Sequence, residues 1–329
     1  MRRLIGLVLA AAVLYGGYWV VGSRAVLEGA EQALARMKAE GIADFSEVSI
    51  KGFPSRFDLT VTEPRFATSD GHIAWAAPFA QVFALSYRPN HVIAVLPQVQ
   101  NLVIGGEPIS VSSGDMRASA VFGASTALPL DHAQTVGKVI TLTNGKGDGL
   151  GLSELRAAVR TMDAATNRYD IAADVAGMVP IGTASGSWAT VAGDPAATGW
   201  IRLDSTATFD RPLDRRATEG NLRITGLEVS SLQLSYGRLQ IDGAGVLAIS
   251  RSGEPEGTLD LTLRGWQGLP QAMAEAGLVT PEVAPTLMKV LAALAVGSGG
   301  KDGALRLPLI FADGQMALGP LPLGPVPRL

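Results

Sequence analysis

Leu4 to Gly22 reads LIGLVLAAAVLYGGYWVVG, nineteen residues without a charged side chain, set between Arg2-Arg3 and Arg24. A helix rising about 1.5 Å per residue covers about 28 Å over that length, close to the roughly 30 Å hydrocarbon core of a bilayer. Tyr15, Tyr18 and Trp19 gather toward its far end, where amphipathic rings favour the headgroup layer. The segment predicts an N-terminal transmembrane signal-anchor over residues 1–24 that tethers everything after it. The competing reading is a cleaved signal peptide, which needs a small-x-small site after the apolar stretch. Here aromatic residues and Val20-Val21 lead straight into Gly22-Ser23-Arg24, and the one clean Ala-x-Ala, Ala10 to Ala12, falls inside the run. The uncleaved anchor is preferred. Positive charges on the two sides nearly balance, so orientation is read from the short N-terminal tail: N-terminus inside, domain exported.

The 27 basic residues less Arg2, Arg3 and Arg24 leave 24 against 30 acidic ones, a net charge of −6 on the exported part. Such a surface repels phosphate backbones, and no cluster of Lys and Arg with interleaved aromatics occurs, so nucleic acid is not an expected partner. A hydrophobic content of 47% with 17% charged residues suits a folded domain rather than a disordered one. The absence of cysteine excludes disulfides and Cys-based zinc sites. With 39 Gly and 19 Pro the chain is punctuated often, which favours many short strands.

Residues 25–41 continue as a helical stalk: Val26, Leu27, Ala30, Leu34 and Met37 recur at helical spacing and Gly41 stands where the helix stops. Residues 42–329 then read as a β-rich domain, one body or two lobes split near residue 150. Phe57, Leu59 and Val61 alternate with Asp58, Thr60 and Thr62, the period of a half-buried strand. Asp70-Gly71 has the chemistry of a hairpin turn. Phe79, Phe83, Leu85 and Tyr87 share one face of the next strand, and further strands are predicted at 91–96, 99–104, 108–112 and 116–122. Ser153 to about Thr166 reads as a helix with Ser153 at its N-cap and Leu152, Leu155, Val159 and Met162 on one face. Strands resume at 169–178, 200–209, 222–229, 232–236 and 239–241, then with Leu259, Leu261 and Leu263 on one face. A second helical region spans Pro270 to Val296, broken by Gly277, Pro281 and Pro285. Two closing strands hinge on Asp313-Gly314, and the proline-rich tail runs extended. The fold class is mainly β with a few helices (α+β): an N-terminal transmembrane helix, then an antiparallel β-meander partly covered by helices.

No motif announces a reaction. His72, His91 and His132 are scattered without metal-ligand spacing. Gly243-Ala-Gly245-Val-Leu-Ala248 matches a dinucleotide fingerprint on paper, but Ile249 to Gly253 after it reads as a strand end and turn, where the fingerprint needs a helix. Ser298-x-x-Lys301 follows a helix end instead of opening a helix. Gly145 to Gly151 is one glycine-rich copy, too few oxygen ligands for calcium. A G-x-S-x-G elbow and a phosphate-binding loop are both absent from the sequence. The expectation is a protein that is not an enzyme, with no cofactor and no metal.

Gly52-Phe-Pro-Ser-Arg-Phe-Asp-Leu-Thr60, followed by Pro64 and Trp75-Ala-Ala-Pro78, and the closing Gly314 to Pro327 resemble an uncharacterised family of alphaproteobacterial envelope proteins, domain-of-unknown-function family 2125. The resemblance implies an inner-membrane anchor with the domain in the periplasm, and brings no activity, substrate or site residues. By architecture alone, the chain is similar to envelope proteins that carry lipid along a curved meander with an apolar face, an analogy that bears on fold and not on function.

A sheet with one apolar face has to cover it. The two predicted helices close it into an ordinary core, the arrangement favoured because soluble domains rarely leave large apolar patches bare. In the sharper arrangement they cover only part and leave a groove for an acyl chain, lined by Phe57, Leu59, Val61, Phe79, Phe83, Leu85 and Tyr87. The functional reading is thus a membrane-anchored protein of envelope maintenance in contact with phospholipid or acyl chains. The alternative is a closed-core scaffold for a protein partner of unspecified kind.

Overall fold

The computed structural model describes residues 1–68, 71–163, 167–217, 222–275, 282–297 and 303–327. Span and stalk are one continuous helix, α1 (Arg2–Ala39), about 57 Å long at 1.5 Å per residue. It ends as the sequence predicts. Gly41 takes φ 76°, and the N–H groups of Gly41 and Ile42 return to the carbonyls of Lys38 and Met37, which satisfies two orphan acceptors of the last turn.

Twenty strands follow among the described residues. The first ten are β1 (Ala43–Asp44), β2 (Glu47–Lys51), β3 (Arg56–Thr62), β4 (Arg65–Ala67), β5 (Ile73–Ala76), β6 (Phe79–Leu85), β7 (Arg88–Val95), β8 (Val99–Ile104), β9 (Glu107–Ser112) and β10 (Asp115–Phe122). Three long strands come next, β11 (Leu130–Asn144), β12 (Gly149–Asp163) and β13 (Arg168–Ile181), then α2 (Ala184–Ala192). After it run β14 (Gly199–Phe209), β15 (Ile224–Tyr236), β16 (Leu239–Ile249) and β17 (Pro255–Arg264). The chain closes with α3 (Leu269–Glu275), α4 (Ala284–Gly297), β18 (Leu305–Ala312), β19 (Gln315–Leu318) and β20 (Leu321–Pro325).

From β10 to β20 each strand pairs antiparallel with the next, so this half is the meander that the short turns predict. The hairpin on Asp313-Gly314 forms with both residues at positive φ, 52° and 70°. The proline tail goes further than an extended run, because β20 adds to β19 as an edge strand, where proline is tolerated.

The first half interleaves. One arm, β2-β3-β6-β7-β10, joins the first part of β11, and a second arm, β1-β4-β5-β8-β9, joins its last part. The chain crosses between arms at short corners. Pro64, Pro78 and Pro97 stand at three of them, each removing a ladder donor where the strand has to turn. The corner line continues into the long strands. Gly114 N–H reaches the Lys138 carbonyl, Val139 sits at φ 51°, and Gly177 at φ 62° lies so close to Ser153 that a Cβ there would fall 2.3 Å from Oγ. Replacing Gly177 with Ala therefore adds left-handed strain of about 1–2 kcal/mol to a forced move of Ser153. An unfolding free energy from urea titration lowered by that amount or more is the expected result.

The helix predicted over Ser153 to about Thr166 is corrected by the structure: residues 153–163 are the body of β12, and residues 164–166 lie outside the described set. Leu155, Ala157 and Val159 fit a strand face as well as Leu152, Leu155 and Val159 fit a helix face. Pairing with β11 on one side and β13 on the other overrides the helix propensity of Glu, Leu, Arg and Ala. The Pro270–Val296 region forms α3 and α4, with residues 276–281 outside the described set. The turn residues Ser69 and Asp70 are also outside it, while β4 and β5 on either side pair as predicted. Strands β1, β2 and β11 and helix α2 have no counterpart in the sequence reading. Residue 150 lies inside β12, where it pairs with Leu142 of β11 in one hairpin.

Two apolar clusters mark the core. Leu263, Trp266, Leu287, Leu291, Ala295, Leu305 and Leu307 pack α4 onto one end of β16–β18. Val229, Leu247, Ile249, Leu259 and Phe311 form the other, without a helix.

Candidate functional site

Side chains of directly paired residues in an antiparallel ladder point to the same face of a sheet. Following register from strand to strand traces what each face carries. One row runs Phe57, Ala84, Val92, Ala120, Ala133, Val159, Ile171, Ser205, Val229 across β3, β6, β7 and β10–β15. The adjacent row runs Leu59, Val82, Ala94, Ala118, Thr135, Ala157, Ala173, Leu203, Leu232. A third, Met116, Gly137, Leu155, Val175, Ile201, Leu234, starts at β10. None of these positions carries a charge. At about 4.8 Å per strand the first two rows cover about 34 Å from β3 to β14.

The opposite face reads Asp58, Phe83, Ile93, Ser119, Gln134, Ala158, Ala172, Asp204 along one row. The next row holds Arg117, Arg156, Asp174 and Arg202, tied to neighbours by Arg117–Asp115, Arg156–Glu154 at 2.8 Å and Arg202–Asp174 at 2.9 Å. Arg160–Asp170 at 2.8 Å belongs to the same face. Exposed pairs of this kind contribute little each, but they keep that face wet. The sheet is thus amphipathic over β10–β14, whereas on β6 and β7 the opposite face also carries Phe79, Phe83, Leu85 and Ile93.

The predicted groove residues divide between these faces. Phe57, Leu59 and Val61 lie opposite Ala84, Val82 and Ala80, whereas Phe79, Phe83 and Leu85 lie opposite Thr62, Asp58 and Arg56. They do not line one surface, because β3 and β6 pair in a register that puts the two aromatic sets out of phase. Phe57 and Val61 are buried. Phe83, Leu85 and Ile93 line a small cavity of about 270 Å³ with Arg56 on the polar side, and Tyr87, beyond the end of β6, is 64% exposed. What the sequence reading misses is the run of alanines, Ala94, Ala118, Ala120, Ala133, Ala157 and Ala173. A small side chain carries a weak hydropathy signal. The available clue is what alternates with it, as in Glu154, Arg156 and Arg160 around Leu155, Ala157 and Val159.

The apolar rows are capped at both ends and open between. At the first end α1 lies on β1–β3, with the Phe57 ring so close to Gly22 that a Cβ there would meet it at 2.9 Å. At the other end α2 packs on β13 and α4 on β18. No described helix packs as a face on β7 or β10–β12. Apart from Gly137, which is buried, the residues of these rows on β10–β12 are half-buried, as are Ile171, Ala173 and Leu203 beyond them. The cavities of about 700 and 290 Å³ along β11–β14 lie on the opposite, polar face, walled by the rows of His132, Arg160, Asp170 and Thr206, of Gln134, Ala158, Ala172 and Asp204, and of Arg156, Asp174 and Arg202.

The groups with displaced acidities lie off these rows. Lys38 beside Asp44, the Thr183 N–H and hydroxyl on Asp148, and the Arg223 N–H on Asp210 hold these carboxyls below the usual range. Burial pushes the Tyr236 hydroxyl up. A carboxyl depressed in the folded state adds stability above its unfolded value and loses it as pH falls through the folded one. The melting temperature should hold from pH 7 to about 5 and decline below about 4. Among the described residues no group of three His, Asp or Glu side chains is placed to hold a metal ion. The stretch that mimics a dinucleotide fingerprint is the strand β16 followed by a turn, with Gly245 against the Thr258 carbonyl across the ladder. The Ser298-x-x-Lys301 stretch lies outside the described residues.

Helix α1 is the one described helix long and apolar enough to cross a membrane. A family model described as "Uncharacterized protein conserved in bacteria (DUF2125)" matches residues 19–327. No curated protein matches the chain.

Proposed function

The chain belongs to that bacterial family, and from this premise we propose that it is a membrane-anchored envelope protein that holds lipid acyl chains along the apolar face of its sheet. The carrying observation is continuity. Uncharged rows begin at Phe57, beside the membrane-length helix, and run across β7 and β10–β12 with no described helix packed on those strands as a face. A buried methylene contributes about 0.8 kcal/mol, so a chain lying along part of this path is held firmly without any charged anchor. The small alanine side chains in the middle leave depth for it, while the ion-paired opposite face keeps the sheet soluble. In this reading α1 is an uncleaved single pass through the inner membrane, the domain is periplasmic, and the role is carriage or storage of lipid, with no catalysis.

Full-length protein in a short-chain detergent, stripped of lipid, should bind a fluorescent phospholipid saturably and compete for it with unlabelled phospholipid. Linear, non-saturable partition equal to that of empty micelles contradicts the reading and leaves a closed-core scaffold.

A further inference from the structure

The docking of the domain on α1 fixes how deep the domain sits. Tyr15 and Tyr18 hydroxyls meet Ser86, at 2.8 Å to its Oγ and 2.6 Å to its carbonyl oxygen. The Trp19 indole donates to the Arg56 carbonyl at 2.7 Å, and its ring stands edge-on to Phe53 at 5.3 Å between centroids. A Cβ on Gly16 would lie 3.8 Å from the Phe53 ring. The domain therefore grips the helix from residue 15 onward. The part of the apolar run left free, Leu4 to Leu14, covers only about 16 Å. A hydrocarbon core of about 30 Å takes its remaining depth from residues 15–22, the stretch to which the domain is bound. Tilting the helix lengthens that demand.

We infer that the rim of the domain formed by Phe53, at the β2–β3 connection, and Tyr87, after β6, is embedded in the distal leaflet of the bilayer that α1 crosses. The inference rests on the membrane-anchor reading above and adds the depth of the domain to it. Three features fit a lipid occupant. Phe53 and Tyr87 are large aromatic side chains 63% and 64% exposed, the Phe53 ring resting with one edge on Trp19. Ser86, next to Tyr87, is fully buried under the two tyrosines with its hydroxyl and carbonyl both hydrogen-bonded, as a low-dielectric setting demands, and Arg88 on the other side is exposed. Arg56, paired with Asp58 at 2.8 Å, stands at the level of Trp19, where a guanidinium reaches headgroup phosphates. At this depth the apolar rows begin at the edge of the hydrocarbon, with Phe57 at their head covered by α1 at Gly22.

The natural chain has no cysteine, so single sites are cleanly labelled. Full-length Leu9→Cys, Phe53→Cys, Tyr87→Cys and Val246→Cys variants carry a nitroxide and are reconstituted in phosphatidylethanolamine–phosphatidylglycerol vesicles. Val246, 63% exposed on β16, is the reference for water. Accessibility to oxygen over a water-soluble nickel chelate reads depth. The expected result is loss of chelate access at 53 and 87 relative to 246, less complete than at 9. Full chelate access at 53 and 87 with none at 9 overturns the embedded rim and leaves the anchor intact. Full chelate access at 9 overturns the anchor and the rim together.

Discussion

Replacing Ala157 with Asp should empty the apolar path while the sheet stays folded. Ala157 sits mid-row between Thr135 and Ala173, half-buried and under no described helix, so a carboxylate there hydrates without collapsing a core. It cannot share the site with an acyl chain, because burying an unpaired charge against hydrocarbon is far costlier than losing the contact. Displacing four methylenes weakens binding by about 3 kcal/mol, on the order of 200-fold in Kd. Ala158→Asp is the internal control, one residue away on the polar face beside Gln134 and Ala172, and should leave binding unchanged. Phospholipid titration of the two variants, with circular dichroism to verify the fold, measures the difference. Equal affinities would remove the apolar rows from the account.

The second large effect is on stability. Trp266 is 3% exposed in the cluster that seats α4, and its indole donates to the Gly303 carbonyl at 3.2 Å. Trp266→Ala leaves a cavity beneath Leu287 and Leu291 and should cost about 3–5 kcal/mol. Because α4 caps one end of the apolar face, hydrogen exchange should quicken first in 284–297 and β18, ahead of β10–β14. Uniform loss of protection across the sheet would mean that α4 is integral to one cooperative unit and not a separable cap.

Elements whose pattern is local are legible in the sequence. The charge-free run and Gly41 define α1, Asp313-Gly314 defines the last hairpin, and the Leu259–Leu263 alternation defines β17. β12 resists such reading because Ser153-Glu-Leu-Arg-Ala-Ala-Val-Arg160 has high helix propensity and becomes strand only through neighbours on both sides, and β11 because its inner residues Ala133, Thr135 and Gly137 carry a weak hydropathy signal. The groove residues fail for a related reason. Phe57 and Phe83 each announce a strand face, but which faces coincide depends on register, and a shift of one residue between β3 and β6 exchanges them. The apolar rows exist only once nine strands are aligned, so no window of sequence holds them.

The most direct test of acyl-chain carriage is photocrosslinking in the living membrane. Cells expressing the full chain are fed a fatty acid bearing a diazirine and an alkyne, irradiated, and the crosslinked peptides are mapped. The account predicts adducts on inner-row residues of β10–β14, among them Ala118, Ala157 and Leu203, and their loss in the Ala157→Asp variant. Adducts confined to α1, Phe53 and Tyr87, with none on β10–β14, would contradict it.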